Sequence, residues 1–142
     1  MLILLSCAKT MSDVSKVKVP FTTIPCFQKE AAEVALEMSQ FSVEELEHLL
    51  RVNPKIAVEN YKRYQAFHSE DTRALPALLA YTGIVFKRLN PKDFSEDDFR
   101  YAQEHLRFTS FCYGLLRPLD LIRLYRLEGD VRPVSYTHLT LP

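Results

Sequence analysis

The spacing of apolar residues changes several times along the chain, and each change predicts an element. Met1 to Ser6 (MLILLS) is a continuous apolar run closed by a small polar residue, which predicts a short buried β-strand. Its C-terminal end would present Ser6, Cys7 and Lys9 at a turn. Thr10 to Pro25 mixes Ser, Thr and Lys with two prolines and has no helical period, so it predicts a loop with an extended segment around Val17 to Val19. Phe27, Ala31, Val34, Ala35 and Met38 then share one helical face, with Glu30, Glu33 and Glu37 on the other side. Ser42 and Glu45 form a capping-box pattern ahead of Leu46, Leu49 and Leu50, because hydroxyl and carboxylate can each take a free amide of the first turn. Asn53-Pro54 opens a third helix with Ala57, Tyr61 and Tyr64 as its buried stripe.

From Ala74 to Leu89 the apolar density is high, but Pro76 and Gly83 oppose one uninterrupted helix and predict a short strand, a turn and a short helix. Ser95 followed by Glu96, Asp97 and Asp98 starts another helix, its acids near the positive end of the dipole and Phe99, Ala102 and Leu106 facing inward. Phe108 to Leu116 is rich in Phe, Thr and Tyr and predicts a central strand that leads to a loop at Arg117-Pro118. Short strands interleaved with amphipathic helices indicate a mixed α/β architecture. Val134 to Pro142 (VSYTHLTLP) follows Arg132-Pro133 abruptly and looks like the translation of a sequencing-library adapter. The expected organisation is residues 1–133 as the front part of one domain and residues 134–142 as a non-native tail, the alternative being a native terminal strand.

With 142 residues, 47% hydrophobic and 25% charged, the chain has the composition of about one globular domain rather than a disordered segment. Eighteen basic residues balance eighteen acidic ones, so a nucleic-acid or anionic-membrane partner would need a local patch. MLILLSC imitates the end of a lipoprotein signal, yet it lacks a basic leader and its apolar run is too short. No run approaches the roughly 20 apolar residues that span a bilayer. A cytoplasmic location without a membrane partner is the expectation. Cys7, Cys26 and Cys112 form no C-x-x-C pair, and His48, His68 and His105 have no partner at ligand spacing, so reduced thiols, no metal and no cofactor are expected.

Two clusters carry candidate chemistry. Ser6, Cys7, Lys9 and Thr10 follow an apolar strand, where open α/β sheets place ligands, and a turn of backbone amides with Lys9 can hold an anion. An ordinary solvated turn fits the same residues. Cys7 beside Lys9 is either a thiol of lowered pKa or a small buried hydrophobe. The second cluster holds Ser110, Tyr113, Gly114, Arg117, Asp120, Tyr125, Arg126 and Glu128. Arg117 and Arg126 can grip phosphate or carboxylate, while a structural turn closed by Asp120 and an Arg126–Glu128 pair accounts for them equally.

LILLSCAKTM resembles the opening strand and S-x-A-K-T motif of the YaaA peroxide-stress family. The resemblance continues through KIAVENYKRY, ALLAYTGIVFKRL and FSEDDFRYAQEHLRFTSFCYGLLRPLDLIRLYRLE, covering nearly all of residues 1–133. It implies a cytosolic protein that protects against hydrogen peroxide by limiting intracellular free iron. It also implies DNA binding through a positively charged groove on an α/β fold with a helix-hairpin-helix-like element. The matching positions are Ser6, Ala8, Lys9, Thr10, Gly83, Ser110, Tyr113, Gly114, Arg117, Pro118, Asp120, Tyr125, Arg126 and Glu128. Cys7, Phe111 and Leu124 depart from the family's usual proline, glycine and proline, and the remainder of the family domain is missing. The implied partner is DNA, contacted by Lys9, Lys16, Lys18, Arg107, Arg117 and Arg126, with no protein partner indicated. The alternative is a nucleotide- or nucleobase-processing enzyme related to smaller YaaA-like domains, with Ser6 or Cys7 as nucleophile, Lys9 as anion holder and Asp120 as acid or base. Direct iron sequestration ranks lowest, because metal ligands are not clustered.

Overall fold

Local signals decide where the helices start. The computed structural model describes residues 1–127. Helix α1 (Gln28–Met38) buries Ala31, Val34, Ala35 and Met38, the expected face. Helix α2 (Val43–Leu50) opens with the Ser42–Glu45 box: the Glu45 amide donates to Ser42 Oγ at 3.2 Å and the Ser42 amide to Glu45 Oε1 at 3.0 Å. Helix α3 (Pro54–Ala66) follows Asn53, whose side-chain oxygen accepts the Ile56 amide at 2.9 Å. Its buried stripe is Ala57, Asn60 and Tyr64, with Tyr61 only half-buried. Asn60 is tolerated inside because its amide donates to the Ile56 carbonyl at 3.0 Å.

The second half of the described chain alternates short elements. Strand β2 (Leu75–Pro76) leads directly into α4 (Ala77–Ala80), a single helical turn in place of the expected plain turn, and α5 (Ile84–Leu89) follows. Gly83, at φ 116°, separates the two helices with a backbone conformation that other residues rarely adopt. Helix α6 (Glu96–His105) has a capping box between Ser95 and Asp98 and runs without a linker into β3 (Leu106–Ser110). Leu106, expected on the helix, is thus the first strand residue. The predicted strand over Phe108 to Leu116 is instead a hairpin of β3 and β4 (Gly114–Leu116), and a final strand β5 (Leu121–Ile122) follows. The hairpin forms because Ser110 Oγ accepts the amides of Cys112 and Tyr113, at 3.2 and 3.0 Å, and Gly114 turns at φ 71°. Val17 and Val19 pack half-buried against the core without joining a strand.

Strand β1 (Ile3–Ser6) pairs in parallel with β3, Leu5 opposite Phe108, and β3 pairs antiparallel with β4, Phe108 opposite Leu116. The resulting sheet has the order β1-β3-β4, while β2 and β5 form a separate antiparallel pair. Phe108 and Leu116 are fully buried, each worth roughly 1.5–3 kcal/mol of apolar transfer. Phe86 meets Phe108 edge-on at 5.1 Å between ring centres, which fastens α5 to the sheet. The expectation of a buried first strand does not hold for the described chain: Ile3 is 41% and Leu4 62% exposed. β1 is an edge strand, and only the Leu5 side meets the core. None of the helices among the described residues is long and apolar enough to cross a membrane.

The segments meet at Asp120. Its fully buried carboxylate accepts the Thr23 hydroxyl at 2.6 Å, the Arg117 amide at 2.8 Å and Arg117 Nε at 3.1 Å. Gln103 of α6 donates to Thr23 Oγ1 and accepts the Leu119 amide at 2.8 Å. Backbone bonds join the same point to Thr23 and to Ala77 at the start of α4. Replacing Asp120→Ala strands several buried donors, and urea unfolding is expected to show a loss of about 3 kcal/mol; a loss below about 1 kcal/mol would show that the other bonds hold these segments without it.

Candidate functional site

The strand-end cluster and the segment after β2 come together. The parallel pairing of β1 with β3 extends to Cys7, whose amide donates to the Thr109 carbonyl at 3.1 Å. The chain then crosses to the α4–α5 junction: Met11 bridges Tyr81, the Thr82 amide donates to the Thr10 carbonyl at 3.0 Å, and the two threonine hydroxyls lie 2.7 Å apart. Ser6, Lys9 and Thr10 are exposed, whereas Cys7 is half-buried.

Beneath this surface lies a polar chain through the core. Tyr81 and Tyr125 hydroxyls are 2.5 Å apart, and Tyr125 is 2.5 Å from Ser110 Oγ. Burial pushes the Cys7 thiol pKa up, and the neighbouring Tyr125 and Tyr81 hydroxyls only partly offset it. Of the two readings of Cys7 left open by the sequence, the upward shift favours the small buried hydrophobe over the activated thiol. Burial, followed by repulsion from neighbouring ionisable groups, likewise raises Tyr81 and Tyr125 well above the usual tyrosine range.

Several residues of the other cluster are engaged in holding the fold. Ser110 Oγ is occupied by the hairpin turn and Tyr125, and Tyr113 is buried with its hydroxyl accepting the Arg123 amide at 2.9 Å. A Cβ on Gly114 would stand 3.0 Å from the Phe27 ring, so glycine there answers packing as well as conformation. Arg117 spends its guanidinium on Asp120, at 3.0 Å, and on the Ile24 carbonyl, also at 3.0 Å. Arg126 brackets Tyr64, its carbonyl accepting the Tyr64 hydroxyl and its amide donating back at 3.3 Å. Glu128 and residues 134–142 lie outside the described residues. The Asp120 carboxylate, given a trial acid or base role on sequence, is bonded to Thr23 and Arg117.

Sequence reasoning missed a cleft of about 600 Å³ beside Thr10 and Thr82, between the loop at Ser15 and Val17 and the segment from Leu78 to Lys92. Its apolar lining includes Leu78, Tyr81 and Phe86; Lys87 and Lys92 supply its charged side chains, and no acidic residue lines it. Lys16 and Lys18 are exposed on the loop beside Ser15 and Val17. Among the described residues no three His, Cys, Asp or Glu side chains converge to hold a metal ion.

The buried tyrosines give a pH signature. Tyr64, Tyr81, Tyr113 and Tyr125 all have folded pKa values above the unfolded value of 10.0. Their contribution to stability is complete below pH 10 and is lost as pH rises from there through the folded values. Unfolding free energy should fall above about pH 10 by up to about 1.4 kcal/mol per pH unit for each tyrosine. Tyr81→Phe with Tyr125→Phe should flatten that fall in urea titrations across the range; an unchanged slope would mean that these two ionise freely in the fold.

Comparison with known proteins adds the family. A family model described as peroxide stress protein YaaA matches residues 1–139. The chain is 84% identical to a UPF0246 protein of Bacteroides fragilis over 93% of its own length and 51% of the relative's. It is 85% identical to a UPF0246 protein of Bacteroides thetaiotaomicron, over 92% of this chain and 51% of that one. A UPF0246 protein of Crocosphaera subtropica is 43% identical over 90% of this chain and 50% of that relative. The chain spans about half the length of the curated relatives it matches. With its opening motif, its α4–α5 junction and its hairpin all inside the matched residues, this chain belongs to the YaaA peroxide stress protein family.

Proposed function

We propose that the protein, at the full length of its relatives, binds DNA in the defence against hydrogen peroxide, and that the cleft between the Ser15–Val17 loop and α5 is this chain's share of the DNA surface. The observation that carries this reading is the charge around that cleft. Lys87 and Lys92 line one side, Lys16 and Lys18 are exposed on the loop that forms the other, and no acidic side chain is in the lining. Such a surface attracts a phosphate backbone although the chain as a whole is neutral. The phosphate-contacting set expected from sequence is revised accordingly: Lys9, Lys16, Lys18 and Arg126 stay in it, and Lys87 and Lys92 join it. Arg117 and Arg107 leave it, because their guanidinium groups are engaged with Asp120 and with backbone carbonyls. The limitation of intracellular free iron, and with it the cytoplasmic setting, rests on family membership and is assigned to the whole protein.

DNA binding is favoured over nucleotide or nucleobase processing. The segments that carry Cys7, Tyr81 and Ser110 do converge. The convergence is a closed hydrogen-bonded network, with a protonated thiol and a Ser110 hydroxyl already occupied.

Binding of the full-length protein to duplex, single-stranded and bubble DNA, followed by fluorescence anisotropy from low to moderate salt, tests the reading. Lys87→Ala with Lys92→Ala should weaken binding on all sequences alike and lower the slope of log affinity against log salt by about 2. Salt-insensitive binding, or none, would overturn it.

A further inference from the structure

Among the described residues, the core packs on one face of the β1-β3-β4 sheet. Leu5, Phe108 and Leu116 point into the core, and Phe108 and Leu116 are wholly buried. Strand alternation puts Leu2, Leu4 and Leu115 on the opposite face, where they are 59%, 62% and 40% exposed. Arg107, opposite Leu4 on that face, donates to the Gln103 and Leu106 carbonyls, and the exposed Ser6 and Thr109 share a row with Leu115.

Among the described residues β1 also ends the sheet. Because the Cys7 amide bonds to Thr109 of β3, the same alternation turns Leu5 toward β3 and leaves the backbone groups of Leu4 and Ser6 on the open edge. Proteins protect exposed edges with charge, proline or a bulge, and Ile3-Leu4-Leu5-Ser6 has none of these. Strands in parallel pairs are normally apolar because both faces are covered. The relatives, meanwhile, are about twice as long as this chain.

From these observations we infer that the half of the family's chain not represented here docks on this surface. It adds a strand along the free edge of β1 and lays apolar side chains over Leu2, Leu4 and Leu115. β1 then lies inside a sheet built from both halves, and the two halves form one cooperative unit rather than two separate domains. The inference is independent of the DNA reading, since it concerns the opposite side of β1 from β3 and none of the lysines of the cleft.

Amide hydrogen exchange in the full-length protein, at concentrations where it is monomeric, tests it. The Leu4 and Ser6 amides should exchange on the order of 100-fold more slowly than in the 142-residue chain alone. Leu4→Asp in the full-length protein should lower Tm by more than about 4 °C, where a freely exposed leucine would tolerate the change. Equal exchange rates in the two chains, or an unchanged Tm, would overturn the inference. So would protection that rises with protein concentration, which would assign the edge to a second copy instead.

Discussion

A buried carboxylate cannot be left unpaired, and much of the arrangement of this protein follows from how Asp120 meets that constraint. Its partners come from Thr23 in the long first loop and from Arg117 at the start of its own turn, and Gln103 of α6 joins them through Thr23. The irregular stretch before α1, which has no regular ladder of its own, is thereby pinned beside the β2–β5 pair. Arg117 contributes a guanidinium that is 32% exposed, so solvent moderates the ion pair; the short bonds to the hydroxyl and backbone amide provide the more directional restraint. A motif that reads on paper as an anion grip is therefore the knot that holds the first loop to the sheets.

The same economy governs the polar core. Ser110, Tyr125 and Tyr81 satisfy one another in sequence, and each fixes a different segment: the hairpin, the chain after β5 and the α4–α5 junction. With them the surface cluster at Cys7 and Thr10 acquires a rigid floor. The cleft lies over one end of that floor, where Tyr81 belongs both to the network and to the lining.

What could be read from the sequence was what neighbours in sequence decide. Ser42 with Glu45, Asn53 with Pro54, and Ser95 with its acids all bond within three or four residues, and those helix starts are where the pattern put them. The mixed α/β class followed from the same local periods. The Ser110 turn was missed because a run of Phe, Thr and Tyr suits a strand, while the serine that breaks it acts through two backbone amides. The cleft and the Asp120 knot were hidden for a different reason: Thr10 meets Thr82 and Thr23 meets Asp120 across more than half the chain, and no spacing rule reaches that far. The first strand's apolar run was legible as a strand, but its exposure depends on which segments lie beside it.

The pairing of β1 with β3 also has a consequence in time. Ile3 faces Leu106, so β1 waits for roughly 100 further residues before its partner exists, a separation that slows folding. At ordinary rates of synthesis that is roughly 5–20 s during which Met1 to Leu5 travels as an unpaired apolar strand. Helices α1 to α3, whose contacts are local, can form in that interval, but the sheet cannot. The pace of translation through α6 and β3 therefore sets how long β1 stays unpaired.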